Sequence, residues 1–347
     1  MKPNMFIVNP DAARSVEEKK RFLEQFFEAN AKFKADFSSI WNTVLPDMIL
    51  KKWNVFGEDM GLVFLSHNGL SGLQSNFEFF RKNSFGRFTK SFLVNWATHE
   101  IVSIGLPMMA SVTSRIPEVA QVLSTYSTPT FIEKLDGVCL LATRVKGGYI
   151  IKSRRSIYYA QESLNDLLGI KEYEFGRHIQ ELIDGEWEKL GPFTVSFECL
   201  FPHPYFFPCH NADFASLLGS SKHFTPYVCY NNEGAFLTSI VRHDGSFVSQ
   251  SETDRLATKY GLLRPRTFTF NSTDEASLFL KQKVNHEGFI VYVDEDQTPL
   301  KWKTSWWKNV NRVSAGFYQL NQLTRNNTGA ELLSREIVNS NVRGLGM

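Results

Sequence analysis

The chain has 347 residues, room for two domains or for one large domain with an appendage, and its apolar (43%) and charged (21%) contents are ordinary for a soluble globular protein. A formal net charge of +2 provides no global field for a polyanion, so a nucleic-acid surface has to be a local patch. Four cysteines are too few for a disulfide scaffold, which makes a reducing, cytoplasmic setting the expectation.

The first residues lack a basic segment followed by a long apolar one. No uncharged apolar run reaches the ~18 residues of a membrane span, so neither a signal peptide nor a membrane segment is expected. Residues 15 to 37 predict an amphipathic helix. Ser15 and Glu18 form a capping box, and Phe22, Leu23, Phe26, Phe27, Phe33 and Phe37 recur at helical spacing, a stripe that reads as a core face. Pro46 and the region from Gly57 to Gly72 break the pattern. Short strands are expected from Phe85 to Ile104, Ser91 to Val94 among them. Thr130 to Ala142 and Tyr149 to Lys152 read as strands joined by the turn Lys146-Gly147-Gly148. Residues 160 to 188 read as helical, divided by Gly169 and Gly176. Strands follow at Phe193 to Phe201, Ala235 to Val241, Phe289 to Val293 and Leu300 to Thr304, with a hairpin turn at His243-Asp244-Gly245-Ser246. The tail from Asn311 to Met347 reads as helical around Ala330 to Val338. This order implies an α+β fold of antiparallel sheets flanked by helices. The expected division is an N-terminal helical or mixed segment (1–84), a working domain (85–308) and a short helical tail (309–347).

The chemistry-bearing residues fall in the working domain. Lys134, in Lys134-Leu135-Asp136-Gly137, ends an apolar run and precedes a glycine that permits close backbone approach. A lysine amine becomes nucleophilic only when its reference pKa of ~10.4 is lowered, and neighbouring cations with partial burial are expected to do this. Period-two alternation puts Phe193, Val195, Phe197 and Cys199 on one strand face and Thr194, Ser196 and Glu198 on the other. Glu287 opens a strand that reads as buried, a place from which a carboxylate can hold Mg²⁺. Lys301 and Lys303 share one face of their strand while Leu300 and Trp302 share the other, and paired fixed cations suit a triphosphate. Each feature also has a plain reading, as a surface lysine, a solvated strand face, a strand-edge charge or an edge-strand gatekeeper.

In this order the segments resemble the motifs of the covalent nucleotidyltransferases: ATP-dependent DNA ligases, RNA ligases and mRNA-capping guanylyltransferases. Lys134-Leu135-Asp136-Gly137 matches motif I, Phe197-Glu198 motif III, Glu287-Gly288 motif IV and Lys301-Trp302-Lys303 motif V, with Phe236 to Phe247 standing loosely for motif IIIa. Lys152-Ser153-Arg154-Arg155-Ser156-Ile157 and Lys301-Trp302-Lys303-Thr304-Ser305-Trp306-Trp307 are most similar to the wording of phage tRNA-repair RNA ligases. The resemblance covers roughly residues 85 to 308.

It implies an adenylyltransferase (ATP-grasp-like) domain, with ATP and Mg²⁺ or Mn²⁺ as cofactors and RNA bearing 5′-phosphate and 3′-hydroxyl ends as substrate. An end-healing kinase or phosphatase is an implied partner. It further implies that Lys134, Lys301 and Lys303 are catalytic, Lys134 as the site of AMP attachment. Glu133, Asp136, Gly137, Lys152, Arg154, Glu198 and Lys90 would hold the nucleotide, and Glu287 with Glu198 the metal. Arg155 stands where the family favours glycine. Lys90 stands where the phage enzymes have an arginine, with Arg87 close by.

The 44 residues after Lys303 are fewer than an oligonucleotide-binding barrel needs, which favours an RNA ligase over a DNA ligase or capping enzyme. A capping-type guanylyltransferase and a DNA ligase remain the enzymatic alternatives, and a nucleic-acid-binding protein on the same fold the non-enzymatic one. Cys199, His203, Cys209 and His210 are spaced unlike paired zinc ligands, and the prolines among them indicate a loop.

Overall fold

The computed structural model describes residues 15–33, 45, 47–65, 88, 90–112, 129–154, 157–160, 175–200, 228, 230, 234–293 and 299–312. Their architecture is α+β, with every named strand pair antiparallel.

Helix α1 (Val16–Ala29) starts on the expected capping box, in which the Ser15 hydroxyl accepts from the Glu18 N–H and the Glu18 carboxylate accepts from the Ser15 N–H. It stops earlier than the periodicity suggests, because Asn30 turns the chain. The Asn30 amide donates to the Phe26 and His99 carbonyls at 2.8 and 2.7 Å, so the helix end is fastened to the sheet beneath it. A 3₁₀ turn at Ala31–Phe33 follows, and Phe37 lies outside the described residues.

Strands β1 (Met48–Val55), β2 (Glu58–Leu65), β3 (Phe92–Asn95) and β4 (Ile101–Ile104) form the first sheet in that order. Gly57, read as a pattern breaker, is instead the turn of the β1–β2 hairpin, with φ of +84°. Because β2 pairs with β3, one sheet runs across position 84/85, where the sequence suggests a boundary. Phe26 of α1 and Phe33 of the 3₁₀ turn pack on this sheet, 5.4 and 5.8 Å from Phe92.

The third sheet opens with β5 (Thr130–Lys134), and β6 (Val138–Val145) belongs to the central one. The sequence reads these two as one strand; they are separated by Leu135, Asp136 and Gly137, where the chain crosses between sheets. The central sheet has the order β10 (Gly234–Arg242), β9 (Phe193–Leu200), β6, β7 (Gly148–Lys152), β8 (Ile157–Ala160). Helices α2 (Phe175–Leu190) and α3 (Gln250–Lys259) cover one face of it, burying Ile179, Leu182, Ile183 and Leu256 against Leu140, Val195, Phe197 and Cys199. The third sheet has the order β11 (Thr267–Phe268), β5, β12 (Gly288–Tyr292), β13 (Leu300–Lys303), and helix α4 (Thr273–Gln282) packs on it through Ala276 and Leu280. A helix at 305–312 follows β13. Residues 161–174 and 313–347, and with them part of the expected helical stretch and of the tail, lie outside the described residues.

The first sheet docks on the other face of the central sheet through hydroxyls. The Ile104 N–H donates to Thr194 Oγ1 at 3.1 Å, Thr194 Oγ1 meets Ser103 Oγ at 3.2 Å, and Thr143 Oγ1 reaches toward the Val102 carbonyl. The chain then runs from β4 to the free edge of β13. There the Lys301 N–H donates to the Ala110 carbonyl and the Val112 N–H donates to the Lys301 carbonyl, both at 2.9 Å. Three sheets thus border one cleft.

Candidate active site

Lys134 is the last residue of β5, at the crossover into the central sheet. The residue types of the segment have local reasons. A Cβ at position 137 would collide with the Cys199 carbonyl oxygen, and the Gly137 N–H donates to Glu198 Oε1 at 3.1 Å, so only glycine lets β6 come this close to β9. Asp136 pins the neighbouring chain: its Oδ2 accepts from the Val228 N–H at 3.1 Å, and its own N–H donates to the Tyr230 hydroxyl at 2.8 Å.

The register of β12 assembles the centre. Gly288 lies opposite Lys134 on one side and Lys303 on the other, so Glu287, the residue before it, lies between two lysines. Its carboxylate is buried, with Oε2 2.7 Å from Lys134 Nζ and Oε1 2.9 Å from Lys303 Nζ. Lys303 Nζ also sits 3.2 Å from the centre of the Trp307 ring, a cation–π contact supplied by the helix that follows β13. Leu300 is buried and Trp302 packs beside it on the α4 side, as the alternation predicts for the face opposite the lysines.

Charge in the cleft runs against one expectation. Burial pulls the Lys134 ammonium down, but Glu287, Glu198 and Asp136 outweigh it and hold its pKa above the usual lysine value. The lowering expected from neighbouring cations does not occur at Lys134. The lowering falls on Lys301, brought to about 8 by burial and then by Lys303, Lys90 and Lys134. Lys303 is lowered by burial, against the pull of Glu287. Burial raises the Glu198 carboxyl to about 7 despite the attraction of Lys134.

Lys152 ends β7 on the face that carries Glu198 and Cys139, since Leu141 pairs with both Lys152 and Ser196. It is fully buried and donates to the Ser91 hydroxyl, and burial brings its pKa to about 7. The Ser91 hydroxyl in turn donates to the Arg154 carbonyl at 3.2 Å. Lys90 faces the same space, close enough to act electrostatically on Glu198, Cys139 and Lys301.

Glu133 is placed apart. Alternation along β5 turns it to the α4 side, opposite Lys134, where its carboxylate lies 3.6 Å from His286 Nε2 and its backbone N–H donates to the Arg266 carbonyl. The structure therefore brings together Lys134, Asp136, Gly137, Glu198, Glu287, Lys301 and Lys303, with Lys90, Lys152 and the Arg154 backbone at one end. It leaves Glu133 behind the sheet. On the polar face of β9, Thr194 is used in docking β4 and Ser196 is buried, while Glu198 lies close enough to act on Lys134.

The sequence reading misses Ser91, Cys139, Tyr230 and His286. The alternation of β6 signals Cys139; nothing local signals Tyr230, which arrives from 94 residues downstream of Asp136. Cys199 lies in the core between the central sheet and α2, while His203, Cys209 and His210 lie outside the described residues. Among the described residues no group of three or more metal-ligating side chains occurs, and no helix is long and apolar enough to cross a membrane.

Two solved forms of an archaeal ATP-dependent RNA ligase share this fold. One aligns over 90% of this chain and 72% of its own at 13% identity and a TM-score of 0.50; the other aligns over 92% and 78% at 12% identity and 0.50. The likeness is one of fold. No protein-family model and no curated protein matches the chain.

Proposed function

We propose that the chain is an ATP-dependent RNA ligase that joins 5′-phosphate to 3′-hydroxyl ends through a covalent Lys134–AMP intermediate. The observation that carries this reading is the junction of β5, β12 and β13, where Glu287 bridges the Lys134 and Lys303 ammonium groups at 2.7 and 2.9 Å in a cleft lined by further lysines. The shared fold supports it.

In the first step the Lys134 amine attacks the α-phosphorus of ATP. A phosphorus–nitrogen bond forms, the bond to the bridging oxygen breaks, and pyrophosphate leaves. The resting ammonium, in hydrogen-bonding contact with Glu287 Oε2, has to lose its proton to water first. Lys301, Lys303 and Lys90 hold the phosphates, and an arriving triphosphate further favours the charged form of Lys301. Glu198 faces the ribose, while Lys152 and Arg154 line the remaining wall. Glu133 has no part in this assignment. An RNA 5′-phosphate oxygen then takes the AMP, returning Lys134 to its amine, and a 3′-hydroxyl displaces AMP to seal the strand.

Mg²⁺ is commonly held by one or two carboxylates plus substrate phosphates, and Glu198 with Glu287, both acting electrostatically on Lys134, fit that donor set. These two residues would hold Mg²⁺ or Mn²⁺, which when bound neutralises charge on the phosphates.

The test offers single-stranded RNA and DNA of one sequence, each with 5′-phosphate and 3′-hydroxyl ends, together with ATP and Mg²⁺. The expected result is ATP-dependent joining of RNA and no joining of 5′-hydroxyl RNA. Faster sealing of DNA would make the chain a DNA ligase, and transfer from GTP alone would make it a capping-type enzyme.

A further inference from the structure

Ser91 lies outside every motif above, yet its hydroxyl joins the Lys152 ammonium to the Arg154 backbone. Its side chain is buried, 1% exposed, at the mouth of β3. The hydroxyl accepts from Lys152 Nζ and donates to the Arg154 carbonyl, and Lys90 is its neighbour in the chain. Its backbone is fixed as well, since the Ser91 N–H donates to the Phe88 carbonyl at 3.2 Å and the Ser91 carbonyl accepts from the Gly105 N–H at 2.7 Å. A single hydroxyl thus joins the first sheet to the end of β7.

Lys152 cannot orient itself. Among the described residues its amine meets the Ser91 hydroxyl and no carboxylate, in contrast with Lys134 and Lys303, which Glu287 holds. The groups facing it are Ser91 from the start of β3 and Cys139 from β6, with Glu198 next across the sheet from Cys139. A buried ammonium whose hydrogen-bond partner is a neutral hydroxyl is stabilised by an arriving anion.

We propose that Ser91 is a positioning residue of the nucleotide site, its hydroxyl fixing the Lys152 amine against the Arg154 backbone so that Lys152 is aimed at the bound nucleotide. The proposal rests on the nucleotidyl-transfer reading. Ser91 acts through Lys152 and touches no reacting atom, so its loss weakens nucleotide capture more than chemistry.

The experiment measures transfer of labelled AMP from ATP to the full chain, as rate against ATP concentration, for wild type, Ser91→Ala, Ser91→Thr, Lys152→Met and the Ser91→Ala/Lys152→Met double variant. Melting temperature is recorded for each. Ser91→Ala is expected to raise KM for ATP about tenfold with kcat within about twofold, a split that belongs to lost binding. Ser91→Thr, which keeps the hydroxyl, restores KM. The two substitutions are non-additive, because both break one contact. An unchanged KM in Ser91→Ala, additive effects in the double variant, or a loss of kcat that tracks the melting temperature would each overturn the role of Ser91. Wild type that takes up no label would overturn the nucleotidyl-transfer reading and this inference with it. Wild-type labelling with an unmoved Ser91→Ala would overturn this inference alone.

Discussion

Gly137 and Lys152 show how single residues set the terms of the cleft. At position 137 any side chain would press on the Cys199 carbonyl and on Leu200, which β9 holds in place. Overpacking of this kind costs about 1–3 kcal/mol, so Gly137→Ala should lower stability in urea titrations by that amount and displace Lys134. Lys152 sets a pH dependence. Its folded pKa of about 7 lies below its ordinary 10.5, so between these values the unfolded chain binds a proton that the folded chain does not. Stability therefore rises with pH from about 7 to about 10.5, and the cost of burying the charge is fully present below. Lys152→Met should flatten that rise in melting curves taken across the range; a variant that keeps the wild-type slope would contradict the assignment. The residue types at these positions are legible in the sequence, since Lys-x-Asp-Gly, Glu198, Glu287 and the i, i+2 lysines are written out. The balance of charge is not. Whether Lys134 meets cations or carboxylates depends on which strands become neighbours, and its pairing with Glu287 spans 153 positions.

At the scale of elements, patterning foretold most strands but not their partners. The alternation of β9 and β13 and the capping box of α1 follow from local chemistry. The split of one apolar run into β5 and β6, in different sheets, follows from a crossover that no periodicity marks. Glu133 shows what a motif leaves open: the resemblance groups it with the nucleotide residues, while alternation from Lys134 turns its side chain to the opposite face of β5. Helices α3 and α4 are not among the elements expected from the sequence, although Ser249 and Ser272 cap them by accepting from Glu252 and Glu275 N–H groups. The α2–α3 contact carries its own prediction. Glu186, buried on α2, accepts from Lys259 at 2.5 Å and from the Tyr260 hydroxyl at 2.7 Å. Although burial alone would raise its carboxyl, these donors and Lys189 bring it to about 2, below the ordinary 4.5. The contribution is present above about pH 4.5 and lost as pH falls toward 2. Glu186→Gln should lower the melting temperature at pH 7 by on the order of 4 °C and flatten the acid limb, with AMP transfer unaffected because the contact lies behind the central sheet.

The whole molecule brings three sheets to one cleft, and the central claim belongs to that scale. The first sheet contributes Lys90 and Ser91, the central one Glu198 and Lys152, and the third Lys134, Lys301 and Lys303, with Glu287 at its edge. An arrangement of this kind is assembled by packing, which is why the sequence could name its members but not their distances. The measurement that tests it most directly is mass spectrometry of the denatured chain after incubation with ATP and Mg²⁺. One added AMP is expected, mapped to the peptide containing Lys134, removed by excess pyrophosphate and absent in Lys134→Ala. An unmodified chain, or AMP carried on any other residue, would contradict it.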